Sequence, residues 1–225
     1  MDQAITRIVI YGASGHARVV ADVLMSDGIY EIAGFIDDVH PERHGTTFCG
    51  ATVLGGREQI PLVYADGIRN SIVAVGDCTA RLRLSARMRG DGFNLITAIH
   101  PKAVIARDVS IGNGTVVAGG AVINPGVQID ESVIINTSAS IDHECRIEAG
   151  AHISPGARLA GRVSVGRGTW IGIGATIIDR VRIGAGVIIG AGAVVVNDIP
   201  DGVLAYGVPA RVVRQITTDE QLNRT

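Results

Sequence analysis

The sequence predicts a small α/β domain with a parallel sheet, followed by a parallel β-helix of triangular coils. Three observations predict it: an aliphatic residue at every sixth position through the second half of the chain, glycine-rich corners between those positions, and strands alternating with helices in the first hundred residues.

The repeat is the strongest of the three. Stepping by six from Ile105 gives Ile111, Val117, Ile123, Ile129, Ile135, Ile141, Ile147, Ile153, Leu159, Val165, Ile171, Ile177, Ile183, Ile189 and Val195. All sixteen are Ile, Leu or Val in a chain that is 47% hydrophobic. Chance would give such a run about once in 10⁵. The next position is small or polar, as in Gly112, Ala118, Asn124, Asp130, Gly166, Gly172, Gly184 and Gly190. Neither a helical period nor strand alternation explains this pattern. A coil of three hexads does: each hexad makes one short strand and one corner, and the aliphatic residue points inward. Sixteen hexads make a little over five coils, stacked at about 4.8 Å. An aromatic content of only 4% suits such a narrow, regular interior.

Residues 1–100 read as a separate, Rossmann-like α/β domain. Arg7–Tyr11 is an apolar strand, Gly12–His16 a tight turn, and Ala17 to about Ser26 a helix with Val19, Val20, Val23 and Leu24 on one face. Ile32–Ile36 is a second strand, closed by Asp37-Asp38. Ser71–Val75 is a third, followed by Gly76-Asp77 and a helix over Ala80–Arg89. Such alternation implies a parallel sheet. Residues 39–56 lack a period and read as a loop, and residues 96–101 join the two domains. Residues 101–225 are the β-helix domain with a C-terminal cap, in which Gly207–Arg211 breaks the coil and a short polar tail follows.

Composition excludes several functions. A net charge of −2 and a pI near 6.3 carry no nucleic-acid footprint. The longest apolar run, Val187–Val196, contains two glycines and is too short to span a bilayer. The N-terminus has no signal-type apolar stretch, so a soluble cytoplasmic protein with no membrane insertion is expected. Cys49, Cys78 and Cys145 are scattered and make neither a disulfide framework nor a zinc site.

Two places carry candidate chemistry. The turn Gly12-Ala13-Ser14-Gly15-His16 follows a strand and opens a helix, so its N–H groups can cradle a phosphate. Asp37-Asp38 ends the next strand, where a carboxylate can accept hydrogen bonds from a ribose or base. The full dinucleotide fingerprint is absent, and a plain tight turn with a solvated acidic pair accounts for the same residues. In the coil, His143 falls at a corner within Asp142-His143-Glu144, where flanking carboxylates can fix its tautomer and raise its basicity. His152 precedes the inward Ile153 and is expected to face outward. A surface histidine is the plain alternative for each. Residues 18 apart share a corner, which sets Gly161 one coil, about 5 Å, from His143. A base beside a free amide donor is the pairing acyl transfer needs. Zinc is not expected, because the coil offers only two histidines. Cys145 reads as a buried small residue rather than a nucleophile, and His40, His44 and His100 are assigned no role.

Both halves together resemble the hexapeptide-repeat sugar acyltransferases, in particular the bacterial nucleotide-sugar 4-N-acetyltransferases that include the PglD-like and GDP-perosamine enzymes. The words that carry the resemblance are Ile10-Tyr11-Gly12-Ala13-Ser14-Gly15-His16, Asn136-Thr137-Ser138 leading into Ile141-Asp142-His143-Glu144-Cys145, and Gly207-Val208-Pro209-Ala210-Arg211. The resemblance implies a left-handed β-helix, a homotrimer and acetyl-CoA bound between neighbouring coils, with no metal. It implies a nucleotide-linked amino sugar held by Ala13, Ser14, Gly15, Asp37, Asp38 and Gly76, with Asn136 near the sugar. His143 would be the general base, Glu144 its partner, His152 a contact to acetyl-CoA, and the Gly161 N–H a donor to the thioester oxygen. Residues 39–56 exceed the compact members of the family in length, which leaves UDP and GDP both open. A sugar O-acetyltransferase of the sialic-acid-modifying type and a non-catalytic nucleotide-sugar-binding protein are the competing readings.

Overall fold

The computed structural model describes residues 5–217. The N-terminal domain is a six-stranded sheet in the order β3-β4-β2-β1-β5-β6. Its elements are β1 (Thr6–Tyr11), α1 (Gly15–Asp27), β2 (Tyr30–Ile36), β3 (Thr47–Phe48), β4 (Ala51–Gly55), α2 (Ile60–Ala65), β5 (Asn70–Val73), α3 (Cys78–Gly90) and β6 (Asn94–Leu95). All pairings are parallel except β3–β4. Ile8, Ile10 and Phe35 pack with Val20, Val23 and Leu24 of α1 on one face. Val9, Tyr11 and Ile36 pack with Met88 of α3 and Ile60 of α2 on the other.

The expected loop over residues 39–56 is corrected. It contains the β3–β4 hairpin, and β4 then extends the parallel sheet beside β2. The hairpin turns on Cys49-Gly50, with φ of 46° and 82°. That is the pair of left-handed conformations a two-residue hairpin requires, made here with a cysteine in place of the usual Asn or Asp. The helix α2 carried no readable sequence signal.

The coil starts one hexad earlier than expected. Ala98–Ile99 lies in the stretch read as a joining segment, yet it pairs with Val116–Val117 as the first coil strand. Two-residue strands then recur every six residues to Val194–Val195 and form three parallel sheets. The first sheet holds the strands at residues 98, 116, 134, 152, 170 and 188; the second starts at 104 and the third at 110. Ile123 to Val195 of the predicted series are buried, whereas Ile105 and Ile111 in the opening coil are only partly covered. A second buried ladder of small residues, including Ala139, Cys145, Ala151 and Ala157, fills the corners. Cys145 is therefore a core residue, and burial pushes its thiol up to about 11. At the end, Val203–Gly207 adds to the first sheet, and Ala210–Gln215 folds back antiparallel on it. The break thus falls at Gly207–Pro209, and the last part of the predicted tail, 218–225, lies outside the described residues.

The outward side chains of the three sheets differ. The first carries Val116, Ile134, His152, Trp170 and Ile188, while the third carries Ser110, Gln128, Arg146, Ser164 and Arg182. The N-terminal domain packs on the first sheet. Val116 joins the α1 cluster, Arg18 and Val19 of α1 border a cavity with His100, Gly119 and Thr137, and Ser85 of α3 bonds Ser132 at 3.0 Å.

Ile141 is fully buried in this stack and Arg146 is exposed. Ile141→Ala is expected to cost about 2–5 kcal/mol, and Arg146→Ala less than about 0.5 kcal/mol. Urea unfolding at one fixed protein concentration measures both.

Candidate active site

His143 stands at the corner between the second and third sheets, just after the strand Ser140–Ile141. From Gly114 to Gly192 each corner contains one residue in the left-handed region. Here it is Glu144, with φ of 58°. That turn sets its carboxylate 3.1 Å from Nδ1 of His143. Arg162, the equivalent of Glu144 one coil on, donates to the same carboxylate oxygen at 2.9 Å. The bonds from His143 and Arg162 hold the Glu144 carboxyl below the usual carboxylate range. A carboxylate only accepts, so Nδ1 carries the proton and Nε2 keeps its lone pair. The backbone is fixed too: Asp142 accepts from the His143 N–H at 2.7 Å and from Asn124 Nδ2 at 2.9 Å.

The expected stacking of Gly161 on His143 is present. A Cβ at position 161 would lie 2.6 Å from both Cε1 and Nε2 of the ring, so any side chain there would push the imidazole off its present position. Among the described residues the Gly161 N–H has no hydrogen-bond partner. A lone pair on an exposed imidazole and an unused amide donor covered by that ring therefore lie side by side, which is the arrangement for deprotonating an attacking group and binding an oxyanion.

The second group of predicted residues converges at the ends of β1, β2 and β5. A Cβ on Gly12 would sit 2.9 Å from the Ala74 carbonyl, which packs the turn against the segment leading to Gly76. Nothing lies within 4 Å of a Cβ built at Gly15 or Gly76, so both border open space. Asp37 is only 3% exposed and is used internally. It accepts from the N–H groups of Ala13, Val39 and His40 and bonds His40 Nδ1. Burial raises its pKa, but these bonds outweigh burial and the group sits below the ordinary carboxylate value. Asp37 thus ties the phosphate-type turn to the residues after β2. Asp38 is exposed. It accepts from Tyr11 Oη at 2.6 Å and the Arg57 N–H at 2.8 Å, and borders a cavity of about 470 Å³ with Arg57, Arg83, Leu84 and Arg87.

His152 corrects an expectation. It points outward from the coil but is only 6% exposed, because the first sheet is the one the N-terminal domain covers. Its ring stacks on Trp170 with centroids 4.9 Å apart, and His16 approaches from α1 at 6.4 Å. Asn136 Nδ2 lies 3.2 Å from Nε2 of His152. Burial and then the nearby Arg81 push His16 down to about 4 and His152 to about 3, where His16 also contributes. The structure therefore brings His152, Asn136 and the Gly12–His16 turn together. It leaves His143 and Gly161 at the opposite corner of the same coil.

Comparison with known proteins decides the family. The chain aligns with PerB of Caulobacter crescentus, solved in complex with CoA and GDP-perosamine, at 42% identity and a TM-score of 0.89, over 94% of this chain and 99% of that one. The chain belongs to the nucleotide-sugar N-acetyltransferases of the PglD-like group. Residues 7–88 match the PglD N-terminal domain, and residues 162–197 the six repeats of the bacterial transferase hexapeptide family. The acetyltransferase domain of PglB from Neisseria gonorrhoeae FA1090, solved with acetyl coenzyme A, is 36% identical over 93% of this chain and 100% of that one, with a TM-score of 0.86. The UDP-N-acetylbacillosamine N-acetyltransferase of Bacillus subtilis (strain 168) is 35% identical over 114 residues, a match spanning 49% of this chain and half the relative's length. The left-handed β-helix is the fold shared with this family.

Sequence reasoning missed Arg57, Arg83 and Arg87, which nothing short of the three-dimensional fold brings to one cavity. It also missed Arg162, although the 18-residue step from Glu144 points to it directly.

The buried histidines make a testable pH dependence. His16 and His152 stay neutral in the folded chain well below the ordinary value of 6.5, whereas the unfolded chain protonates near 6.5. Their contribution to stability is full above pH 6.5 and is lost as pH falls from there towards about 4. Melting temperature followed across that window should fall less steeply in His152→Gln than in the wild type.

Proposed function

We propose that the protein transfers the acetyl group of acetyl-CoA to the 4-amino group of a nucleotide-linked 4-amino-4,6-dideoxy sugar. The observation that carries this reading is the corner at His143: an imidazole oriented by Glu144, with its free Nε2 beside the unpaired Gly161 N–H. The relatives support the substrate class, since one was solved with CoA and GDP-perosamine and another is named for a UDP-linked sugar. The PerB complexes also include variants in which a histidine is replaced by Asn and by Ala.

The neutral amine attacks the thioester carbonyl while His143 Nε2 accepts its proton. The Gly161 N–H donates to the tetrahedral oxyanion, which collapses to the amide and expels the CoA thiolate. Glu144 holds the imidazole in the receptive tautomer and stabilises its charged form. No acyl-enzyme is required, and Cys145 is core. The open turn offers the N–H groups of Ser14 and Gly15 to the diphosphate at the mouth of α1, with Gly76 opposite, while those of Gly12 and Ala13 are bonded to Ile36 and Asp37 and hold the turn in shape. The cavity at Asp38 adds three arginines for the anionic nucleotide. Asp37 serves by shaping the turn. His152 and Trp170 border a groove of about 500 Å³, with Pro155, Ile173 and Ile188, that suits the pantetheine arm.

The reading includes a homotrimer. The N-terminal domain and His152 occupy the first sheet, and His143 occupies the corner opposite it. One chain therefore presents two half-sites facing different ways, and a three-fold ring sets the corner of one against the covered face of the next. Acetyl-CoA and nucleotide sugars are both cytoplasmic metabolites, so the reading assigns the enzyme to the cytoplasm. Among the described residues no helix is long and apolar enough to cross a membrane.

Thiol release from acetyl-CoA, assayed with GDP- and UDP-linked 4-amino-4,6-dideoxy sugars, tests the proposal. Release is expected with one of them and is expected to fall by about 10²–10⁴-fold in His143→Ala with the fold intact by circular dichroism. Release only with hydroxyl acceptors would make the protein an O-acetyltransferase instead. Nucleotide-sugar binding with no release from any acceptor would make it a binding protein.

A further inference from the structure

Among the described residues Arg81 is the least exposed charged side chain, at 0%. It lies in the second turn of α3, between the N-terminal domain and the coil. Among the described residues no carboxylate makes an ion pair with it. Its guanidinium bonds six backbone carbonyls instead. Nη1 donates to Val75 at 2.9 Å, Gly76 at 2.7 Å and Asp77 at 3.3 Å. Nε donates to Ser132 at 2.8 Å, and Nη2 to Gly150 at 2.7 Å and Ala151 at 3.2 Å. Three acceptors belong to the loop that carries Gly76. The other three lie on two successive coils, and the last of them adjoins His152.

A buried cation is costly unless its donors are satisfied. Here the planar fork of five N–H groups is consumed in joining one loop to one wall of the coil. Lysine, with three donors on a flexible stem, cannot reproduce that fork. The joined parts are the ones the proposed reaction uses: the Gly76 loop backs the Gly12–Gly15 turn, and the coil segment carries His152. We propose that Arg81 is a positioning residue for the transfer, locking the 75–77 loop to the His152 strand so that the nucleotide turn and the acyl-donor wall form one rigid unit. This assignment rests on the functional reading above. Arg81 itself meets neither substrate.

Calorimetric titration of the full-length protein with coenzyme A, and separately with GDP and UDP, tests it. Arg81→Lys should weaken coenzyme A and whichever nucleotide the wild type binds by about tenfold each, because misplacing bound groups by a fraction of an ångström already costs binding and rate. Arg89→Ala removes the exposed Arg89–Glu131 pair on the same helix–coil seam and should leave both affinities within about twofold. Unchanged affinities in Arg81→Lys, loss of only one of the two, or equal losses in Arg89→Ala would each overturn the assignment. Wild type that binds neither ligand would overturn the functional reading beneath it. Should Arg81→Lys fail to fold, hydrogen exchange on the wild type decides. The bound nucleoside diphosphate alone should slow exchange at residues 151–154 as well as 75–77, and protection confined to 75–77 would contradict the coupling.

Discussion

The register of the coil is the constraint on which the rest depends. One inward aliphatic side chain every six residues, with no insertion from Ile99 to Val195, makes every eighteenth residue a spatial neighbour. That spacing places Gly161 over His143 and Arg162 over Glu144. It places His152 between Ile134 and Trp170. A single inserted residue would send the next inward aliphatic to the surface and separate the imidazole from its amide donor in the same step. The geometry of the His143 corner is thus held by backbone bonds between coils rather than by contacts particular to that corner.

The same register explains why the two clusters of candidate residues lie apart. Outward residues on the first sheet are apolar apart from His152, so the N-terminal domain packs on that sheet, and its Gly12–Gly15 turn goes with it. The corner opposite stays bare, polar and open, and His143 and Glu144 remain about half exposed there. The N-terminal side holds two neutral histidines under a buried arginine, and the corner holds a histidine beside an anionic carboxylate. These environments differ in charge: two uncharged rings on one side, and an imidazole oriented by an anionic carboxylate on the other.

Much of this was legible in the sequence. The six-residue period gave the coil, its inward residues and the 143–161 contact, because a repeat converts sequence distance into spatial distance. The strand–turn–helix words located the Gly12–Gly15 turn at the head of α1. What escaped did so for physical reasons. The burial of His152 lies in a longer period: Val116, Ile134, His152, Trp170 and Ile188 recur every eighteen residues and mark one face as covered, a signal invisible at a step of six. The β3–β4 hairpin turns on Cys49-Gly50, an unusual pair for two left-handed residues. Asp37 was read as a ligand-facing carboxylate, yet its oxygens are spent on Ala13, Val39 and His40. Arg81 had no local signature, since its six carbonyl partners come from segments up to 70 residues away.

The central claim is that the reaction site is assembled from the His143 corner of one chain and the nucleotide face of another. Mixing two inactive variants tests it most directly. His143→Ala loses the corner and keeps the face. Gly15→Glu keeps the corner, fits the open space at the head of α1, and sets a negative charge at the turn proposed to hold the diphosphate. In a ring of three, random 1:1 mixing after denaturation and refolding pairs an intact corner with an intact face at about a quarter of the sites. The account predicts recovery of about a quarter of wild-type transfer in the mixture. A mixture as inactive as its components would contradict it.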